Sequence, residues 1–156
     1  MTGPELTAAL LEAARLSFDE FAASLSLEAP TMIGPVTHMP KNGAGAVIPL
    51  VGTASFQLAL FGDGDSCDAL AKGVLGMGPD EVADPDDVAD AVCEAVNVIA
   101  GAAKVKLTER IQNGFELKLG LPLYMRGHTH AFRQVSIAGC EVMVQSRPLC
   151  LLVISA

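Results

Sequence analysis

Asp90, Glu94, Asn97, Gly101 and Lys104 recur at threes and fours within one stretch of apolar periodicity. At about 100° per residue on a helix they project within a sector of roughly 80°, making one narrow stripe. Any amphipathic helix turns polar residues to water, so the makeup of the stripe has to say whether more is involved. Asp90 and Glu94 are like charges four apart, which costs about 0.2 to 0.5 kcal/mol. Asn97 is a poor residue for a helix interior, and Gly101 costs roughly 1 kcal/mol against Ala. A face kept only for solubility would carry complementary Glu and Lys pairs, so unfavourable choices gathered on one stripe point to binding or catalysis.

The chain has three asparagines, and the other two, Asn42 and Asn113, each precede a glycine in a pair that suits turns. Asn97 has no such turn to explain it. Its carboxamide offers donors and an acceptor but does not titrate near neutral pH, which suits it to orienting a water and not to shuttling a proton. Glu94, one turn earlier, offers a charge that could pair with a cation on another molecule. Between Lys72 and Lys104 there is no basic residue, while Asp80, Glu81, Asp84, Asp86, Asp87, Asp90 and Glu94 crowd the interval. The surface leading into the stripe should therefore be acidic.

The element that must hold the stripe is a long helix over Pro85 to Ile111, with Asp84 as its cap and Pro85 at its first position. Val88, Ala91, Val92, Ala95, Ile99 and Ala102 form the apolar side expected to press on a sheet. An N-terminal helix starts near Thr2 to Pro4 and carries Leu6, Leu10, Ala14, Phe18, Phe21 and Leu25, ending at Ala29 and Pro30. Residues 31–45, rich in Pro and Gly, read as an irregular connection. Ala46 to Val51 and Ala54 to Phe61 read as a hairpin. A short helix through Leu70, Val74 and Leu75 is capped by Asp65 or Ser66 and closed by Gly76. Phe115, Leu117, Leu119, Leu121, Leu123 and Met125 alternate with polar or small residues as one half-buried strand, in which Pro122 suggests an edge or a bulge. Strands through Cys140 to Val144 and Leu149 to Ile154 complete the set, the last expected to be central. Short turns between strands and helices on both sides of them predict an α+β fold with a mostly antiparallel sheet, as one domain over residues 1–156.

Composition narrows the function. With 156 residues, 51% apolar and 18% charged, the chain can bury a core without disulfide or metal staples. A net charge of −8 is the wrong sign for a nucleic-acid or anionic-lipid binder. The longest apolar run, Leu149 to Ile154, is far short of the roughly twenty residues of a membrane span. The N-terminus lacks a basic segment followed by an apolar one, so a cytoplasmic protein is expected. Cys67, Cys93, Cys140 and Cys150 are too far apart for CxxC pairs and read as core thiols. His128 and His130 would share one strand face, but no third ligand type clusters beside them, so no metal site is assigned.

The run Asp90-x-x-x-Glu94-x-x-Asn97-x-x-x-Gly101 resembles the signature helix of the CheC/CheX/FliY chemotaxis phosphatases. Its context, Asp90-Ala-Val-Cys-Glu-Ala-Val-Asn-Val-Ile-Ala-Gly101, is similar to the CheX branch. The likeness extends over about Ala44 to Arg126. It implies a CheX-like fold, often homodimeric through paired sheet edges, that hydrolyses the aspartyl phosphate of a CheY-like response regulator in two-component signalling. On that likeness Glu94 pairs with a lysine beside the regulator's phosphorylation site, Asn97 holds the attacking water, and Asp90 and Gly101 support them. No cofactor of the chain's own is implied, the Mg²⁺ coming with the regulator. Phosphoryl transfer passes through a loose transition state, so positioning can suffice without a strong base.

The chain departs from the family in three ways: it has a single signature, Pro49 interrupts the first hairpin strand, and Ala102 stands where the family often has a second Asn. The alternative is a catalytically silent module that docks a regulator or a motility assembly. A third reading is a ligand or metal domain built on His128 and His130.

Overall fold

The computed structural model describes residues 1–28, 30–40, 42–128 and 135–156. Among them are helices α1 (Gly3–Ser24), α2 (Gly64–Leu75) and α3 (Pro85–Ile111). The strands are β1 (Thr31–Val36), β2 (Asn42–Gly52), β3 (Ser55–Gly62), β4 (Leu117–Leu119), β5 (Leu123–His128), β6 (Ser136–Val144) and β7 (Arg147–Ser155). They form one sheet in the order β1-β6-β7-β3-β2-β4, with β5 also on β2. Each pairing is antiparallel, so the expected α+β architecture is what forms. β7 is interior to the sheet, flanked by β6 and β3, as its continuous apolar run requires.

The helices cover one face of the sheet. Ala46, Ile48 and Leu50 of β2, Phe56, Leu58 and Leu60 of β3, and Leu149, Leu151 and Val153 of β7 are buried in a common core with Phe18, Leu70 and Ile99 of the three helices. Strand alternation sends Ala59, Phe61 and Leu152 to the opposite face, where they form a smaller cluster.

α1 begins with a capping box in which Thr2 and Glu5 serve each other's backbone N–H groups. It ends at Ser24, five residues before the expected Ala29. Ser26 sits at φ +57°, and the N–H groups of Ser26 and Leu27 donate to the Ala23 and Ala22 carbonyls. That is a Schellman closure built on a serine, which the sequence does not advertise. α2 is capped by Asp63, which accepts from Ser66 N–H, and not by Asp65 or Ser66.

Three strand expectations change, the first being that residues 42–45, expected to be irregular with a turn at Asn42-Gly43, open strand β2 and pair with β5. Residues 31–36, expected to be irregular, form edge strand β1 on β6, with its pairing shifted between Met32 and Gly34; Pro35 is tolerable because the edge leaves one side of the ladder unpaired. The single strand expected over Phe115 to Met125 is two strands on the same edge of β2. Leu50 pairs with Leu119, but Val47 pairs with Leu123, so three residues (Gly120, Leu121 and Pro122) oppose two. The Pro49 carbonyl takes the Gly120 N–H at 2.8 Å at this break. One extra residue flips the alternation beyond it. Phe115 and Leu117 are buried, whereas Leu121 and Leu123 are exposed and Tyr124 packs on the core instead.

The four cysteines are free, Cys67 and Cys140 buried and Cys93 and Cys150 half-buried. The Cys67 thiol donates to the Ala44 carbonyl at 3.2 Å, and burial pushes it from 9 up to about 11, the Tyr124 hydroxyl opposing more weakly. Between those values the folded chain keeps a proton that the unfolded chain has lost. The stability due to this group is thus complete below about pH 9 and lost as pH rises to about 11. Burial also raises Cys93, Cys140, Cys150 and Tyr124, so urea titrations should show a decline over that interval that is smaller in Cys67→Ala by on the order of 2 kcal/mol; an equal decline in the variant would refute the assignment.

Candidate functional site

α3 is the element that builds the site. Asp84 caps it, accepting from the Asp86 N–H at 2.8 Å, and Pro85 occupies its first turn. Its bounds are those the sequence predicts. Val88, Ala91, Val92, Ala95, Val96, Ile99, Ala100, Ala103 and Leu107 are buried, while Ala102, expected on the apolar side, is only half-buried. The buried arc is rotated toward Val96, Ala100, Ala103 and Leu107 because α3 does not lie on the sheet alone: it is wedged against β2, α1 and α2 together. Two ion pairs, Lys106–Glu20 at 2.8 Å and Arg110–Glu12 at 3.1 Å, join α3 to α1. Both are exposed and add little stability.

The sector left free carries the stripe. Asp90 and Glu94 are exposed, and Asn97, Gly101 and Lys104 are half-buried. Among the described residues the side chains of Asp90, Glu94 and Asn97 make no hydrogen bond or ion pair. A carboxylate and a carboxamide therefore stand one turn apart, about 4.5 Å along the axis, uncommitted to their own chain. The arrangement can pair with a cation through Glu94 and hold a small polar molecule through Asn97. Asp80, Glu81, Asp84, Asp86 and Asp87 are exposed ahead of it, so the N-terminal approach is acidic as expected.

Gly101 is not demanded by packing. A Cβ there would meet only Leu119 Cδ1, at an ordinary 3.7 Å.

The sequence gives no direct sign of what lies beside the stripe. Gly101 lies against Leu119 of β4. Burial and the neighbouring Asp90 push the Cys93 thiol up. α3 packs against both β4 and β5, so the break at Gly120 to Pro122 begins one residue beyond the contact between Leu119 and Gly101. Lys104, Lys118 and Arg126, on α3 and that edge, are the Lys and Arg side chains without an ion pair among the described residues. Pro122 was the available signal for the break.

His128 closes β5, but its side chain and the whole of His130 lie outside the described residues, and so does the paired-histidine reading. Among the described residues no group of His, Cys, Asp and Glu could hold a metal ion, and no helix is long and apolar enough to cross a membrane.

The family model described as chemotaxis phosphatase CheX matches residues 44–145. No curated protein sequence gives a match. Among solved structures, the chemotaxis protein CheX from Desulfovibrio desulfuricans is similar at a TM-score of 0.74 and 19% identity, over 96% of this chain and 97% of that one. A CheX–CheY–BeF₃–Mg²⁺ complex from Borrelia burgdorferi matches at 0.76 and 18%, over 95% of each chain. Thermotoga maritima FliY matches at 0.69 and 16%, over 100% and 92%. At these identities the likeness is one of fold.

If Gly101 answers to the outside and not to the core, Gly101→Ala should stabilise the protein by up to about 1 kcal/mol through helix propensity. A urea midpoint that falls instead would show a packing role missing from this account.

Proposed function

Because the chain belongs to the CheX family of chemotaxis phosphatases, we propose that it hydrolyses the aspartyl phosphate of a CheY-like response regulator, with Glu94 docking the partner and Asn97 positioning the attacking water. The observation that carries this is the pair itself: an exposed carboxylate and a half-buried carboxamide one turn apart on α3, neither of them bonded among the described residues. The Borrelia relative is seen joined to CheY with Mg²⁺, which supports a partner of that class for this chain.

In the proposed reaction Glu94 pairs with a lysine beside the regulator's acyl phosphate, fixing how far α3 enters. Asn97 then reaches the phosphoryl group, its carbonyl oxygen accepting from a water whose lone pair points at phosphorus. The water oxygen bonds to phosphorus, the bond from phosphorus to the aspartyl oxygen breaks, and inorganic phosphate leaves the free carboxylate behind. A loose transition state needs alignment more than a strong base, which is what an amide supplies. The Mg²⁺ belongs to the regulator, and the proposal gives the chain no cofactor of its own. Asp90 and Gly101 act in support: Asp90 extends the negative surface and Gly101 lets the partner close on the helix. A cytoplasmic, homodimeric protein completes the reading, and edge strand β1, with exposed Met32 and Ile33, offers one sheet edge for self-association.

With an acyl-phosphate-labelled receiver, Asn97→Ala should lower kcat about 100-fold or more while KM and thermal stability stay close to wild type. Glu94→Gln should instead raise KM and weaken the salt dependence of docking. Binding without any acceleration by the wild-type protein would leave only the silent docking module.

A further inference from the structure

Leu121 is 87% exposed although it stands between two strands of the main sheet. Its exposure follows from the register: three residues span the space of two opposite Ile48 and Pro49, so the segment leaves the ladder. Its location follows from the contacts on either side. Gly101 of the stripe meets Leu119, two residues before Leu121, and α3 packs against both β4 and β5, so the segment that carries Leu121 lies beside the stripe.

Resting on the proposed phosphatase reading, we propose that Leu121 is the apolar anchor of the docking surface, seating a receiver domain beside its phosphorylated aspartate so that Asn97 enters at the right depth. A second copy of the chain is the other candidate occupant, and the edge is poorly made for it. The extra residue at 120–122 and the missing N–H of Pro122 interrupt the unpaired ladder, and Lys118 and Arg126 flank the interruption; bulges, prolines and basic residues on an edge are devices that prevent strand addition. Side-chain docking of a rigid partner needs no continuous edge. The charges around the anchor fit one orientation of that partner: Glu94 negative on one side and Lys104 positive about 15 Å further along the helix axis, so the receiver must present a cation toward the acidic end and an anion toward the other. Leu121, the more exposed of the two outward leucines at this edge (87% against 60% for Leu123), stands within a frame of opposite charges beside the open backbone of Gly101, which is the form of a binding hot spot with a polar rim.

The test uses the full-length protein and a panel of CheY-type receivers loaded with Mg²⁺ and beryllofluoride, an acyl-phosphate mimic, with parallel turnover of the phosphorylated receivers. Leu121→Asp should weaken binding and raise KM tenfold or more, with kcat within about threefold and the melting temperature unchanged. Leu16→Asp, at an exposed apolar position on α1 (41%), should change neither. Binding and KM within twofold of wild type would overturn the anchor. So would an altered subunit number in Leu121→Asp with receiver binding intact, which would assign the residue to self-association. Leu121-dependent binding without turnover would remove the phosphatase reading and keep the anchor; no binding to any receiver by the wild-type protein would remove both.

Discussion

The burial of α3 on three sides is the constraint from which the site follows. α3 is pressed by β2, α1 and α2 together, and its buried arc extends from Ala91 round to Ala100, about half the circumference. The residues of the other half are presented outward on a rigid 27-residue rod. Alanines at 91, 95, 100 and 103 let the neighbours approach closely. Within the open half the stripe occupies one sector, and its two like charges, asparagine and glycine are choices that helix stability does not favour.

The same packing links the helix to the sheet edge. Pro49 gives β2 no N–H at one position, and the Pro49 carbonyl is met by Gly120 N–H where the facing chain changes register. Beyond the change Tyr124 turns inward and Leu121 and Leu123 outward. A proline in the first hairpin strand thus sits beside the feature that exposes an apolar residue, two positions beyond the Leu119 that meets Gly101.

Much of this was legible in the residues, for identifiable reasons. The ends of α3 are written in side chains: Asp84 and Pro85 at the start, the Asn113-Gly114 pair after the finish. The stripe is a matter of angular spacing, which a regular helix preserves. The α+β class followed from the order of elements. What escaped was set by non-local pairing or by backbone closure. β1 exists because β6 is there to pair with it, against the composition of Gly34 and Pro35. The end of α1 depends on Ser26 adopting a positive φ that its type does not announce. Pro122 marks the edge and the bulge within Phe115 to Met125, but an added residue leaves the printed alternation intact while reversing the faces in space, so which side chains turn outward was not legible. The outward sector of α3 could be read, but its surroundings could not, since Leu119 reaches it only through the sheet.

The chemistry of the pair also explains its order along the helix. In the free protein Glu94 is exposed and Asn97 half-buried, so neither is held in a low-dielectric site. On the proposed reading that environment forms only when a partner closes over α3, and closure strips water from both groups. A carboxylate loses far more by desolvation than an amide unless it finds a counter-charge. The carboxylate is therefore tolerable where a partner's lysine receives it, and the uncharged amide is the group that can enter the crowded, negatively charged neighbourhood of a phosphoryl oxygen without repelling it. A second carboxylate at position 97 would oppose the approach of the phosphate, and a lysine would neutralise charge without offering an acceptor to the water. An asparagine one turn beyond a glutamate satisfies both requirements, and a helix whose other faces are committed to the core holds the two at that separation.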